Sequence, residues 1–531
     1  MSGLVTLPSR DTIRRRLVVD GWPSVAAAAA IAGALALLAI AFGWRGSDLP
    51  AQIFRSDLIR QDGFVVWNNQ WFGGHALLGY SVLAPALGAL TGPVLVGAVS
   101  GIISAVLFER ILRFAFGHAS WLGAIWFALG TVTNLIVGRT TFALGVALGL
   151  GAVYMLQRRH PVPATICALL CSLSSPLAGA FLAIAGAAWF FAQRDRRVGA
   201  TAITTAAVLP IAVVALMFPT SGAEPYEPWA LAWDLAICLA IAIALREHKA
   251  ARWGAALFAL AAIGSFVVPS ALGGNVSRLG QYVAGPLLAC ALLPRRRVLL
   301  ALLAAPLLVW QWIPAVDGIA FAHEDPSTHA SYYQPVVAFL EAQPGAIGRV
   351  EVPSTFRHWE AAYVAPHVLL ARGWERQLDI AYNPLFYSTP LTATTYHQWL
   401  TENGVRFVAL PDAQLDDSSH GERALLLHGL SYLHRVWSDP HWTVWSVDDF
   451  HGLVVGDASL TTLTADRLTI DVHTPGTIEL RVRATSHWRV DNGGCAASTA
   501  DGWTELRNLP VGTVTVTQAL TGSKCPDVDA R

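Results

Sequence analysis

The sequence predicts a multi-pass α-helical membrane protein of about eleven transmembrane helices, ending in an extracytoplasmic domain built as an α/β unit plus a β-sandwich. Three observations predict it. Hydrophobic residues make up 54% of the chain against 14% charged, with a mean hydropathy of +0.47, too apolar for soluble globules of this size. Apolar segments broken by short basic clusters fill residues 1–315, after which the sequence turns ordinary and polar. Those clusters fall on alternate loops, the asymmetry that membrane insertion imposes. With 36 basic and 36 acidic residues the chain carries no excess charge for a polyanion, and nucleic acid is not an expected partner.

Candidate spans lie at 22–44, 92–112, 119–137, 140–157, 162–175, 176–192, 198–217, 229–245, 253–270, 279–293 and 298–314. Arg14, Arg15 and Arg16 precede the first, which has the length of a span and lacks a cleavage site, so it reads as a retained signal anchor. Alternating the loops gathers seventeen cations on one side: Arg10 and Arg14 to Arg16, then the clusters around Arg110, Arg158, Arg194, Arg246 and Arg295. The other side's short loops hold only Arg45, Arg55, Arg60, Arg139 and Arg278. The positive-inside rule makes the first side, with the N-terminus, cytoplasmic, and an odd span count exports the C-terminal domain across the plasma membrane. Five external arginines without a topological reason are then candidates for function.

The first external loop, from Arg45 to about Gly79, opens with Asp48-Leu-Pro and places Leu49, Ile53, Phe54, Leu58 and Ile59 near helical spacing. This predicts an amphipathic helix on the membrane surface with Pro50 in its first turn. Asp48 either caps that helix or presents a carboxylate above the first span, where it is able to act as a general base or hold a metal. The loop continues through Trp67, Asn68, Trp71, Gly73, Gly74 and His75. Interfacial anchoring accounts for the tryptophans, whereas amides, an imidazole and aromatic faces suit a sugar. Three further loops contribute Arg139, Glu224 and the Gly273-Gly-Asn275-Val-Ser-Arg278 turn. Guanidinium groups at headgroup depth either snorkel or grip phosphate.

In the C-terminal part, helices are expected at 333–342 and 392–402 and strands at 349–352 and 405–410, an α/β unit spanning 316–450. Alternating segments at 467–472, 477–482 and 513–518 then predict a β-sandwich over 451–531. Cys495 and Cys525, the two cysteines of the exported part, favour a disulfide; the other four lie in apolar segments as small hydrophobes. No CxxC or Cys/His metal spacing occurs. Arg357-His358-Trp359-Glu360 and Arg372-Gly-Trp374-Glu375-Arg376 are polar-aromatic clusters, read as surface or domain-contact residues before glycan contacts.

Taken in order, Asp48-Leu-Pro, Trp67-Asn68, Trp71-Phe-Gly-Gly74, Gly138-Arg139-Thr-Thr-Phe142-Ala-Leu-Gly145, Ser175-Pro176-Leu-Ala-Gly179 and Gly273-Gly-Asn-Val-Ser-Arg278-Leu-Gly280 resemble the GT-C class of integral-membrane glycosyltransferases. More closely, they resemble the bacterial YfhO-like and 6-pyruvoyl-tetrahydropterin-synthase-related membrane proteins that look like that class. The resemblance covers most of the chain and rests on the order of the motifs. It implies a GT-C-like fold, a polyprenyl-phosphate sugar donor, a cell-envelope glycan, lipid or protein as acceptor, and an acid on the first external loop as base or ligand of a divalent metal. Asp48 matches that position. Many such enzymes carry a second acid adjacent or one residue away, whereas the next acid here is Asp57, about 13 Å further along an ideal helix and on another face.

The reading that follows gives Asp48 the role of base and Arg139 and Arg278 the leaving phosphate. Asp57, Trp67, Asn68, His75, Glu224 and Asn275 are the expected substrate contacts. Two alternatives stand beside it: a non-catalytic glycan- or partner-binding scaffold, and a transporter or flippase of a lipid-linked substrate with Asp234 as proton-coupled acid. A substrate-sized outward groove above Asp48 separates transfer from both, and the alanine- and tryptophan-rich composition suggests a high-GC bacterial source.

Overall fold

The computed structural model describes residues 22–219, 222–320, 324–388 and 390–526; the basic cluster Arg10 and Arg14 to Arg16 lies outside them. Its N-terminal half is a bundle of α1 (Trp22–Ala41), α2 (Leu49–Asp62), α3 (Ala84–Thr91), α4 (Pro93–Phe116), α5 (Trp121–Val137), α6 (Thr140–Gln157), α7 (Pro161–Ser174), α8 (Pro176–Ala192), α9 (Arg197–Met217), α10 (Pro228–Ala244), α11 (Lys249–Val267), α12 (Ser277–Leu292) and α13 (Arg297–Ala320). A helix stands at each of the eleven expected spans. Among the described residues six helical stretches are long and apolar enough to cross a membrane, with 93–137 counted as one, while α7, α8 and α10 are shorter apolar helices. Leu37, Leu209, Leu216, Leu239, Ile243, Leu260 and Leu302 are exposed on their outer faces. Water does not tolerate a surface of this kind and a bilayer covers it, so we read this half as membrane-embedded.

Within the bundle α4 packs on α1, α5 and α6, α8 on α9 and α11, and α12 on α5 and α13. Proline opens α4, α7, α8 and α10 near their first turns, where the missing N–H breaks no helical hydrogen bond.

The segment between α1 and α4 is not a surface element. α2 forms where the apolar spacing predicts it, but eight of its residues are buried, and Phe54 stacks on Trp71 at 4.2 Å. Trp71 is fully buried in a core shared with Tyr333, Trp359, Leu370 and Trp442 of the C-terminal half, a burial contributing about 2–3 kcal/mol. A two-stranded hairpin follows, β1 (Trp67–Asn68) with β2 (His75–Ala76). Trp67 meets Trp488 edge-on and joins the core of the distal β-sheets. The segment between α1 and α4 is thus wedged between the two halves.

The C-terminal half begins with a four-stranded sheet in the order β3 (Arg349–Glu351), β4 (Val405–Pro411), β6 (Trp442–Val447), β5 (Leu433–Ser438). Only the β3–β4 pair is parallel. Helices Ala330–Glu341, Ala393–Glu402 and His420–His428 accompany it. Two four-stranded antiparallel sheets follow, one in the order β12 (Cys495–Ser498), β13 (Trp503–Leu509), β10 (Gly476–Arg483), β7 (Val454–Val455), the other in the order β11 (Trp488–Val490), β14 (Gly512–Gln518), β9 (Arg467–Val472), β8 (Ala458–Leu463). Leu468, Ile470, Leu480, Val482, Val514 and Val516 fill the space between them, from strands that alternate buried and less buried positions. Cys495 and Cys525 are disulfide-bonded, with Cα atoms 4.9 Å apart.

Candidate functional site

A chamber of about 670 Å³ lies where α2, the α8–α9 pair and the loops before α6, α10 and α12 meet the C-terminal half. Its charged lining is Asp48, Arg55, Arg139, Glu224, Arg278, Glu375 and Arg376. Three of the five arginines that sequence reasoning set apart on the sparse side therefore converge here. Of the others, Arg45 lies over the Trp359 ring and Arg60 pairs with Asp57.

Two close backbone approaches build the chamber's acid–base pairing. The carbonyls at the C-terminal end of α5 need donors, and the backbone N–H groups of Gly46 and Asp48 donate to Ile136 and Val137 at 2.6 and 3.0 Å. Gly138 turns the chain there with φ of 94°, and a Cβ on it would come within 2.2 Å of the Leu49 nitrogen. This seam sets Asp48 beside Arg139, with Arg139 Nε donating to Asp48 Oδ2 at 3.2 Å. Asp48 makes no side-chain cap on α2, so the expected capping role gives way to an ion pair.

The second approach is at Gly273, whose φ is 37° and whose Cβ would lie 1.9 Å from the Glu224 carbonyl. Glu224 N–H donates to Ser270 and Gly274 N–H to Pro225, so the turn before α12 carries Asn275 and Arg278 into the same wall as Glu224. Burial raises the Glu224 carboxyl above its ordinary value, with Arg278 pulling against it and Asp48 adding to it. Arg278 lies over the Phe142 ring at 5.9 Å and makes no hydrogen bond or ion pair among the described residues. Behind it and Arg139 is a water-sized recess of about 10 Å³ lined by Asn134, Gln281 and Tyr282.

The C-terminal half closes the chamber with Trp374 to Gln377. Trp374 Nε1 donates to the Ser47 carbonyl at 2.6 Å, and Arg55 to Glu375 at 2.6 Å. Arg55 also lies over the Tyr80 ring at 4.0 Å. Arg376 is held from behind by two bonds to Asp416, at 2.9 and 2.6 Å, and His358 stacks on Trp374 at 3.4 Å. Sequence reading noted the Arg372–Arg376 cluster and favoured surface or domain-contact residues for it; Trp374 and Glu375 make such contacts, to Ser47 and Arg55. Arg55, Tyr80 and Glu375 were missed as lining residues, although Arg55 had the signal of an external cation.

Asp57, Trp67, Asn68 and His75 lie elsewhere. Asp57 pairs with Arg60 across one helical turn, partly exposed. Trp67 Nε1 donates to Asn69 Oδ1 at 2.7 Å, and Asn68 is buried and accepts from the Gln70 N–H. His75 is 2% exposed, stacked on Trp71, and lines a different cavity. Asp234 is buried in α10 and its Oδ2 accepts from Tyr226 and Ser277 at 2.6 and 2.5 Å, joining α10 to the start of α12. Among the described residues no three His, Cys, Asp or Glu side chains form a group that could hold a metal.

One further feature decides what the chamber can accept. An apolar furrow of about 360 Å³ runs between α8, α9 and α11, lined only by Ala, Val, Ile, Leu and Phe side chains, and shares Ala180, Ile211, Ala215 and Leu272 with the chamber. Cationic groups at one end and hydrocarbon at the other match a ligand with the same two ends.

No family model matches the chain, and no curated protein does. Among solved structures it is similar to ArnT from Cupriavidus metallidurans bound to undecaprenyl phosphate, over 82% of this chain and 100% of that one, at 12% identity and a TM-score of 0.45.

Proposed function

We propose that this is a membrane glycosyltransferase that moves a sugar from a polyprenyl-phosphate donor to an acceptor outside the cytoplasm, with the chamber and the C-terminal half on that outer side. The observation that carries the reading is the continuity of the chamber with the apolar furrow: a guanidinium pair for phosphate and an all-apolar path for a prenyl chain. The finer likeness to YfhO-like proteins belongs to the same proposal.

In the reaction, an acceptor hydroxyl oxygen attacks the anomeric carbon and the carbon–oxygen bond to phosphate breaks. The hydroxyl proton passes to Asp48, and polyprenyl phosphate leaves with the bonding electrons. The Arg139 pair orients Asp48 through Oδ2, leaving Oδ1 without a partner among the described residues. Arg278, uncommitted to any carboxylate, stabilises the charge growing on the leaving phosphate. Trp374, Tyr80, Asn275 and Gln377 take the place around the sugar that sequence reading gave to Trp67, Asn68 and His75.

A scaffold role calls for a filled outer face, which the chamber does not supply. Transport through Asp234 is the other reading: its Oδ2 is bonded to two hydroxyls of neighbouring segments, while its buried Oδ1 has no partner among the described residues. The test is single-turnover release of polyprenyl phosphate from a panel of polyprenyl-phosphate sugars in nanodiscs. Asp48→Asn is expected to slow release by about 10²–10⁴-fold. Undiminished release would remove Asp48 as base, and no release by wild type from any donor would end the transferase reading.

A further inference from the structure

A second cavity, of about 340 Å³, lies at the seam between the β1–β2 hairpin, the end of α9 and the distal β-sheets. Its polar lining is incompletely used. His75 is 2% exposed, yet neither ring nitrogen makes a hydrogen bond. Burial, and then the charge of Arg55, lower its pKa to about 3, with the Trp71 carbonyl a weaker opposing influence. The ring is therefore neutral at physiological pH, offering one donor and one acceptor. Arg483 lies over the Trp503 and Tyr382 rings at 4.1 and 4.5 Å and donates to the Phe72 and Asp501 carbonyls. It pairs with no carboxylate among the described residues.

This cavity does not stand alone. Phe218, just past the end of α9, lines both it and a furrow of about 170 Å³, and that furrow shares Gly79, Pro176, Ile211 and Ala215 with the chamber. Helix α9 thus lines two furrows, the smaller one mostly apolar, and each shares Ile211 and Ala215 with the chamber wall. His487 fixes the junction, its Nε2 2.9 Å from the Met217 carbonyl and its ring stacked on Phe218 at 4.8 Å. A partly buried cation without an acid calls for an anion, and the adjoining furrow calls for hydrocarbon.

We propose that the seam cavity binds the phosphate of a second amphiphile, whose chain runs along the smaller furrow toward the chamber edge.

The test is equilibrium binding of a short-chain phosphatidic acid, and separately of inorganic phosphate, to the full chain in detergent. Wild type is expected to bind two molecules of the amphiphile. Arg278→Gln is expected to weaken one site and Arg483→Gln the other, each by about tenfold or more, equivalent to about 1.4 kcal/mol. Arg483→Lys retains the charge and is expected to keep the site, while Ser486→Trp, at the cavity's exposed edge, is expected to block it even if Arg483→Gln fails to fold. Two sites persisting in both Arg483→Gln and Ser486→Trp would overturn the proposal while leaving the donor site intact. Loss in Arg483→Gln with no loss in Arg278→Gln would support the seam site and count against the donor chamber. Inorganic phosphate binding as tightly as the amphiphile would overturn the part assigned to the furrow.

Discussion

The chamber and the buried ionic cluster of the α/β unit use the same residue types to opposite ends. In the cluster, Arg372 is 3% exposed and all three of its nitrogens are engaged: Nε and Nη2 on Asp379 at 2.6–3.2 Å, with Nη2 also on Ser418 and Nη1 on Ser419. Asn383 and Tyr387 take further lone pairs of Asp379. In the chamber, Arg278 is committed to nothing among the described residues and Arg139 to a single carboxylate oxygen. A guanidinium whose every nitrogen is bonded locks the fold, whereas one with donors free in a cavity is prepared for a ligand.

Removing the two arginines tests this contrast most directly. Arg372→Met strands Asp379 in the interior and is expected to cost about 3–5 kcal/mol, read as a fall in the denaturation midpoint of the full chain. Arg278→Gln is expected to leave that midpoint in place and to weaken donor binding by about 1.5–3 kcal/mol, measured by titration with a polyprenyl-phosphate sugar. A large stability loss in the second variant would erase the distinction.

Gly273→Ala sharpens it from the backbone. The added methyl must displace the Glu224 carbonyl, so a loss of about 1–3 kcal/mol is expected, appearing in donor affinity as Arg278 shifts away from Glu224. The same substitution at exposed Gly117, where a Cβ meets nothing, is the control for a positive φ alone.

The smallest effect per unit of change is in pH. Burial, then the charge of Glu422, holds Glu351 well above the ordinary carboxyl range, and burial lifts Glu422 to about 7 against the pull of Arg372. His358 is raised too, because Asp416 and Glu360 outweigh its burial. All three bind protons more tightly folded than unfolded, so their contribution is fullest at low pH and is lost as pH rises, for Glu422 from about 4.5 to about 7. Each proton sets a slope of at most about 1.4 kcal/mol per pH unit. Asp379 and Asp416, lowered by their guanidinium partners although burial opposes it, act in the other direction at more acid pH. Glu422→Gln is expected to flatten the stability profile between pH 5 and 7; a profile identical to wild type would remove Glu422 from the cluster's titration.

Much of the fold was legible. The helices fall at the expected spans because a long apolar run is a local property that needs no partner to be recognised. The strands at Arg467–Val472 and Gly512–Gln518 were legible from alternation for the same reason. Of the site, Asp48, Arg139, Glu224, Asn275 and Arg278 were singled out and share one chamber. Trp67, Asn68 and His75 were singled out with them and belong to the seam, because their polar-aromatic run reads alike whether it faces a sugar or a neighbouring domain.

What the sequence determined alone was the set of apolar helices and, through loop charge, which arginines needed another explanation. What only the tertiary structure decided was which acid meets which arginine. Asp48 finds Arg139 through the Gly138 contact and Glu224 shares a wall with Arg278 through the Gly273 contact, while nearby Asp57 turns to Arg60. The physical reason is that pairing between distant segments is set by backbone approaches of a few ångströms, and nothing in the spacing along the chain encodes them.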